Sequence, residues 1–182
     1  VKREDQGLCS NYVCSLKKGD TVELTGPFGA TFLMPDDPQA DIIMICTGTG
    51  SAPFRGFTKR RQRTSPNADG HLFLYFGART PETLPYFGPL KRVPSELMTQ
   101  RQVFSRVEGQ PKTYVQDQMK LDADLLAPYL KRPRTHIYVC GLKGMEDGVE
   151  SALAAASEQA GLEWSTLRND LRDDGRFHIE TY

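Results

Sequence analysis

Short, continuously apolar runs that alternate with helical stretches predict an α/β domain, a five-stranded parallel sheet with helices on both faces. Two further features support this. A two-glycine turn joins the first of these runs to a helix, and the character of the chain changes after the punctuated stretch Pro35-Asp36-Asp37-Pro38. What precedes that stretch reads as a β-rich remnant.

Taken in order, Thr21–Thr25 alternates apolar and polar and ends in Gly26-Pro27-Phe28-Gly29, the pattern of an antiparallel strand followed by a turn. The linker at Pro35–Pro38 then separates residues 1–37 from a complete α/β domain over 38–182. Strands are expected at Ile42–Cys46, Leu72–Phe76, Gln102–Ser105, His136–Cys140 and Phe177–Glu180, all rich in β-branched or aromatic residues. Pro53 stands where N1 of the helix after the first strand is expected, a position that needs no N–H. The stretch Met145–Ala160 has an Ala-rich interior and a stop at Gly161.

The composition is that of an ordinary globular chain. Its 182 residues carry 23 basic and 23 acidic side chains, for zero formal net charge. A nucleic-acid binder needs a basic surplus to displace counterions, so no nucleic-acid partner is expected. Runs such as Ile42–Cys46 are too short to span a bilayer, and the charged opening Val1-Lys2-Arg3-Glu4-Asp5 has no apolar segment behind it. The expectation is therefore a cytoplasmic protein without membrane attachment. Cys9, Cys14, Cys46 and Cys140 are scattered and never spaced Cys-x-x-Cys, so no metal site is expected and the thiols are read as reduced.

The most informative segment is Cys46-Thr47-Gly48-Thr49-Gly50-Ser51-Ala52-Pro53-Phe54-Arg55. Two glycines let the backbone turn tightly and approach a ligand, while a helix N-terminus offers amides to a pyrophosphate. Pro53 replaces the third glycine of the usual Rossmann fingerprint, and two glycines alone also suit a plain turn. The second strand ends Phe76-Gly77-Ala78-Arg79-Thr80, without the acid that holds a ribose 2′-hydroxyl in NAD sites. Beyond the third strand stand Ser105 and Arg106, then Lys112-Thr113-Tyr114-Val115-Gln116. A guanidinium, a hydroxyl and a phenol suit a 2′-phosphate and an adenine, which favours NADP. Taken singly, each of these residues reads better as a solvated loop residue; their grouping after successive strand tips is what favours NADP.

Together these segments resemble the ferredoxin–NADP+ reductase family, whose nucleotide domain is Rossmann-like, and the resemblance covers nearly the whole chain. Gly7-Leu8-Cys9-Ser10-Asn11-Tyr12 resembles the family's helix-opening FAD pyrophosphate motif, which implies FAD contacts for Cys9 and Ser10. Thr25–Gly29 resembles the closing strand of the flavin barrel. Thr47–Phe54 matches the T-G-T-G-x-A-P-F loop, implying NADP contacts for Thr47, Gly48, Thr49, Gly50 and Pro53. Ser105, Arg106, Tyr114 and Gln116 fall on the family's 2′-phosphate and adenine positions. Val139-Cys140-Gly141-Leu142-Lys143-Gly144-Met145-Glu146 is the most specific block and implies cofactor contacts for Gly141 and Leu142. His178-Ile179-Glu180-Thr181-Tyr182 is similar to the family's carboxyl end, whose last aromatic covers the flavin. Within the family, Gly77–Leu90 looks most like the reductase component of benzoyl-CoA oxygenase, also called benzoyl-CoA epoxidase. That likeness implies an upstream iron–sulfur region and an oxygenase acceptor. The flavin motif Arg-x-Tyr-Ser is absent from these residues, so most of the barrel is expected to lie outside them. Ala30 also stands where plant-type members carry a lysine.

The resemblance implies that NADPH passes hydride to FAD and that FAD passes single electrons to a ferredoxin or a ferredoxin-like iron–sulfur domain. Cys140 and Glu180 are then the residues beside the nicotinamide, and Tyr182 stacks on the flavin and moves aside. A lone strand-end cysteine is otherwise a packing residue, and a terminal tyrosine is otherwise frayed. His71, His136 and His178 read as satisfied structural histidines. Lys59, Arg60, Arg61 and Arg63 read as cations favoured at a helix C-terminus, or as a docking patch for an acidic ferredoxin. The reading from another class is an NADP-binding module without redox activity.

Overall fold

A computed structural model describes residues 1–26, 28–85, 90 and 92–182. Pro27 of the Thr25–Gly29 turn and positions 86–89 of the 77–90 segment lie outside the described residues, as does Lys91. The chain divides into two compact units, Val1–Thr31 and Phe32–Tyr182.

In the first unit one helix forms, α1 (Leu8–Ser15). Asn11 ties its opening turn down, its Nδ2 donating to the carbonyls of Glu4 and Gly7 at 2.7 Å. The strand expected over Thr21–Thr25 is not there; these residues have no regular structure. A strand exists by pairing its N–H and C=O groups with a neighbour, and alternation alone supplies none.

The second unit contains a parallel sheet of five strands: β1 (Asp41–Thr47), β2 (Leu72–Ala78), β3 (Met98–Phe104), β4 (Thr135–Gly141) and β5 (Phe177–Thr181). Their spatial order is β3-β2-β1-β4-β5, and every pairing is parallel. β3 starts four residues earlier than its expected span, at Met98 rather than Gln102. It is an edge strand, and Thr99, Gln100, Arg101 and Gln102 are only half-buried, so polar residues mask its first half. One face of the sheet carries α2 (Ser51–Thr64), and the other carries α3 (Val115–Leu121), α4 (Ala123–Leu130), α5 (Glu146–Gln159) and α6 (Trp164–Asp173). Alternation along β1 divides the core. Ile43 and Ile45 face α3–α6, while Ile42, Met44 and Cys46 face α2.

Helix ends follow local chemistry. α5 stops as expected, with Gly161 at φ +69° and the Leu162 amide reaching back to the Ser157 carbonyl at 2.8 Å. Pro53 occupies N3 of α2 rather than N1, still within the first turn, where a missing N–H costs no helical hydrogen bond. Arg61 is not part of a surface patch. It is 1% exposed, and its guanidinium donates to the carbonyls of Gly70 at 2.6 Å and Ala40 at 2.9 Å. It thereby joins the end of α2 to the starts of β1 and β2, and burial lowers its pKa. Of its neighbours, Arg60 is paired with Asp36 at 2.6 Å, while Lys59 and Arg63 are exposed.

Residues 32–34 pack on the α2 face. Phe32 makes an edge contact with Tyr138 at 5.1 Å, the Tyr138 hydroxyl donates to the Leu33 carbonyl at 2.6 Å, and Met34 is buried. Tyr138, His178 and His136 form a row of near-parallel rings on this face, Tyr138 and His178 at 4.3 Å. Only His71 is a fully satisfied histidine, held by the Glu96 carbonyl and by Thr99. His136 Nδ1 and His178 Nε2 are buried without a partner among the described residues.

Burial, helped by the nearby His178 and Arg176 and opposed by Asp37, lowers the pKa of His136 to about 4. In the unfolded chain this histidine protonates near 6.5. Between those values the unfolded state binds more protons, so its contribution to stability is complete above about pH 6.5 and is lost as pH falls to about 4. Urea unfolding from pH 7 to pH 4 should therefore show a steeper decline for the parent than for His136→Phe. Parallel declines would assign the acid sensitivity to other groups.

Candidate functional site

The carboxyl ends of the strands form the functional edge, because β1 lies between β2 and β4 and the crossovers leave it in opposite directions. At this switch point the chain turns from β1 into α2 through a 3₁₀ turn, Gly48–Gly50. Gly48 has φ +54°, a conformation that suits glycine. Gly50 is buried, and a Cβ on it would collide with the Cys140 carbonyl. Gly141, at φ +153°, would drive a Cβ into Thr47 Oγ1. The β1–α2 turn and the end of β4 are therefore in backbone contact. Thr47 Oγ1 accepts from the Leu142 amide at 3.2 Å and donates to Met145 Sδ at 3.5 Å. Ser51 Oγ closes the turn onto the Gly48 carbonyl at 2.9 Å. Gly48 and Thr49 are left exposed on the rim, and Pro53 is half-buried in the first turn of α2.

The carboxyl-terminal residues gather at the same place. Cys140 pairs in register with Glu180, and Cys46 with Cys140. Burial raises the Cys140 pKa, and Glu180 raises it further, so the side chain is a neutral thiol rather than a nucleophilic thiolate. Glu180 is exposed. Tyr182 is anchored rather than frayed: its N–H donates to the Gly141 carbonyl at 2.9 Å, and its carbonyl accepts from Lys143 N at 3.1 Å. Its hydroxyl shares a hydrogen bond of 2.7 Å with Thr49 Oγ1. Thr181 Oγ1 donates to the Glu146 carboxylate, which ties β5 to the start of α5. The structure thus brings together Thr47, Gly48, Thr49, Gly50, Cys140, Gly141, Leu142, Glu180 and Tyr182.

The residues expected at the adenosine end sit on the β3 side. The Ser105 amide donates to the Ala78 carbonyl at 3.1 Å and the Arg106 amide to the Arg79 carbonyl at 2.8 Å, which carries the β2–β3 pairing past both strand ends. Tyr114 is not in a loop: it is the N-cap of α3, its amide held by the Asp117 carboxylate at 2.8 Å, and Gln116 lies inside the helix. Tyr114 is 43% exposed, with Lys112 Nζ 5.2 Å from the centroid of its ring. The Gln116 side chain lies against Gly148 of α5, where a Cβ would meet its amide at 2.8 Å. Gly77 was not singled out by motif, yet a Cβ there would come within 3.0 Å of Val115 and 3.1 Å of Thr47. A glycine inside an apolar strand is the signal that marks such a close approach.

In the first unit, Cys9 is exposed and Ser10 half-buried, both in the first turn of α1. Ser10 Oγ accepts from the Glu4 amide at 3.2 Å. First-turn amides have no intrahelical acceptor, so this turn has the donors a pyrophosphate requires. Among the described residues, no group of three or more His, Cys, Asp or Glu could hold a metal ion, and no helix is long and apolar enough to cross a membrane.

Residues 44–151 match the family model described as oxidoreductase NAD-binding domain. The chain is 36% identical over 186 residues to a ferredoxin–NADP reductase of Synechocystis, covering 97% of this chain and 45% of that protein. It is 38% identical to a ferredoxin–NADP reductase of Spirulina, covering 97% of this chain and 63% of the relative. It is also 38% identical to the cyanelle ferredoxin–NADP reductase of Cyanophora paradoxa, again over 97% of this chain but 51% of the relative. The chain therefore spans about half to under two thirds of the length of these relatives.

The two kinds of glycine in α2 and its approach are separable by mutation. Gly50→Ala must force the turn off β4 and should cost about 2 kcal/mol or more of stability. Gly56→Ala, on an exposed helix position with nothing within 4 Å of the new Cβ, should instead gain about 0.5–1 kcal/mol. Urea midpoints of the two variants measured beside the parent check this opposition, and a harmless Gly50→Ala would show that the turn does not need its contact with β4.

Proposed function

The chain belongs to the oxidoreductase NAD-binding domain family, and from that premise we propose that it is the NADP(H)-binding part of a flavin-dependent reductase that serves an iron–sulfur protein. The observation that carries the reading is the Gly48–Gly50 turn, pressed onto β4 at the sheet's switch point, with Ser105 and Arg106 just past the tip of β3, two strands from β1. The named relatives are ferredoxin–NADP reductases, which supports ferredoxin or a ferredoxin-like domain as the electron acceptor. Residues 1–37 are read as the end of an FAD-binding barrel, and 38–182 as the NADP-binding domain.

When bound, NADPH supplies hydride and FAD converts the electron pair into single-electron steps. The chain's own residues bind and orient. Thr47, Gly48, Thr49, Gly50 and Pro53 line the turn that receives the pyrophosphate. Ser105 and Arg106 take the 2′-phosphate, Tyr114 stacks on adenine, and Gln116 supports it. Cys140 offers a neutral, polarisable thiol beside the nicotinamide, with Glu180 paired to it and Gly141 and Leu142 forming the adjoining wall. Tyr182 covers the flavin ring and must release Thr49 when it moves aside. Cys9 and Ser10 face the FAD pyrophosphate.

Assignment to a benzoyl-CoA oxygenase system rests on the Gly77–Leu90 resemblance alone. The relatives favour the broader role of a general ferredoxin–NADP reductase. The competing reading, a nucleotide-binding module without redox activity, is separated from it by visible absorbance and NADPH oxidation after FAD is added.

NADP+ should bind more tightly than NAD+. Arg106→Ala should weaken NADP+ by roughly 1.5–3 kcal/mol, the worth of a charge-assisted hydrogen bond, while leaving NAD+ nearly unchanged. Calorimetric titration of both dinucleotides decides it, and equal affinities in the parent would remove the NADP assignment.

A further inference from the structure

We propose that Cys46 and Cys140, paired across β1 and β4, form a dithiol site for trivalent arsenic, which bridges the two sulfurs as one neutral adduct. The site owes nothing to the dinucleotide reading above, and it joins two thiols that lie far apart in the sequence.

The register of β1 on β4 sets Cys46 directly against Cys140. Register partners on adjacent parallel strands point to the same face, and both cysteines pack in the same apolar cluster on the α2 side. Both thiols are free, and among the described residues neither sulfur makes a hydrogen bond. Cys46 is fully buried. Cys140 is 8% exposed near the end of β4, so it is the open member of the pair. Burial raises the pKa of both thiols, with Cys140 adding to the effect at Cys46 and Glu180 adding to it at Cys140. The pair is therefore neutral at neutral pH.

Span and charge decide what such a pair takes. Neighbouring strands lie about 4.7–4.9 Å apart, and upright side chains on them keep a similar separation at Cβ. A disulfide needs Cβ atoms about 3.5–4.5 Å apart, so one inserted atom suits the span better than a direct S–S bond. A metal cation held by two thiolates would require two deprotonations in apolar surroundings that oppose charge. Trivalent arsenic meets neither obstacle. Arsenous acid condenses with two neutral thiols: two As–S bonds form, two As–O bonds break, and each thiol proton leaves with a hydroxyl as water. Arsenic stays trivalent and the product carries no charge. After the first bond forms, the second thiol acts at the effective concentration of a neighbouring strand, which a lone thiol cannot match. Cys9 and Cys14 offer no equivalent site, because five positions along α1 turn them about 140° apart around the helix axis.

The test uses the full chain carrying Cys9→Ser and Cys14→Ser, kept reduced by a phosphine, with sodium arsenite as the probe. Calorimetry should show one arsenite per chain, and native mass spectrometry should show one As–OH bridge in place of two hydrogens. Cys46→Ala or Cys140→Ala, added to that background, should weaken binding roughly a hundredfold or more, as loss of the second sulfur predicts. Arsenite should also raise the urea midpoint of the background protein and leave that of the Cys46→Ala variant unchanged. Cys46→Val, which fills more of the buried volume, gives the same comparison if the alanine variant does not fold. Tight binding that survives loss of Cys46 would place arsenic elsewhere and overturn the proposal. An absence of binding to the background protein, or one arsenite shared by two chains, would overturn it as well.

Discussion

The functional edge depends on one steric constraint: the turn after β1 touches the end of β4 with no room for a Cβ at Gly50 or Gly141. Two loops that follow strands far apart in sequence are thereby locked into a single wall. Thr47 bridges them with its hydroxyl, and Tyr182 bridges them again through Thr49 and the Gly141 carbonyl. Backbone contact of this kind presents main-chain amides and small side chains to a ligand without intervening bulk. It also makes the β1–α2 turn and the end of β4 one continuous wall.

The opposite end of the sheet is built differently. There the buried Arg61 joins the end of α2 to the chain just before β1 and β2, and Asp41 takes bonds from the His71 amide at 2.8 Å and from Arg132 at 3.0 Å. Buried charges at this end are paired and hydrogen-bonded, as low-dielectric surroundings demand. At the functional end, by contrast, exposed guanidiniums at two strand tips lack carboxylate partners among the described residues. Zero net charge therefore conceals an uneven distribution, with bonded charges at one edge and exposed guanidiniums without a carboxylate partner among the described residues at the other.

The helix end groups connect the two. Tyr114 caps α3 on the β3 side of the sheet, and the helix is held from below. Asp122, at the α3–α4 junction, takes bonds from Arg101 on β3 at 2.8 Å and from the Tyr75 hydroxyl on β2 at 3.1 Å. The edge strand that leads to Ser105 and Arg106 is thus cross-linked to the helix that Tyr114 caps.

Sequence alone determined the α/β class, four of the five strands to within a residue or two, the α5 stop at Gly161 and the two-glycine turn, because these depend on local periodicity and on backbone freedom at single positions. It also marked residues that the structure gathers at the strand ends, among them Thr47, Thr49, Cys140 and Tyr182, since strand tips follow from strand ends. Tertiary structure decided the rest. The polar first half of β3 is a strand only because β2 offers it a ladder, and Thr21–Thr25 is not one because alternation supplies no partner. Arg61 looks like its cationic neighbours in sequence and is buried because two carbonyls at the bottom of the sheet need a donor. Cys46 and Cys140 look like scattered thiols until the register of β1 on β4 pairs them directly. Such assignments depend on which strands lie side by side, and that is a property of the packed sheet rather than of any local run of residues.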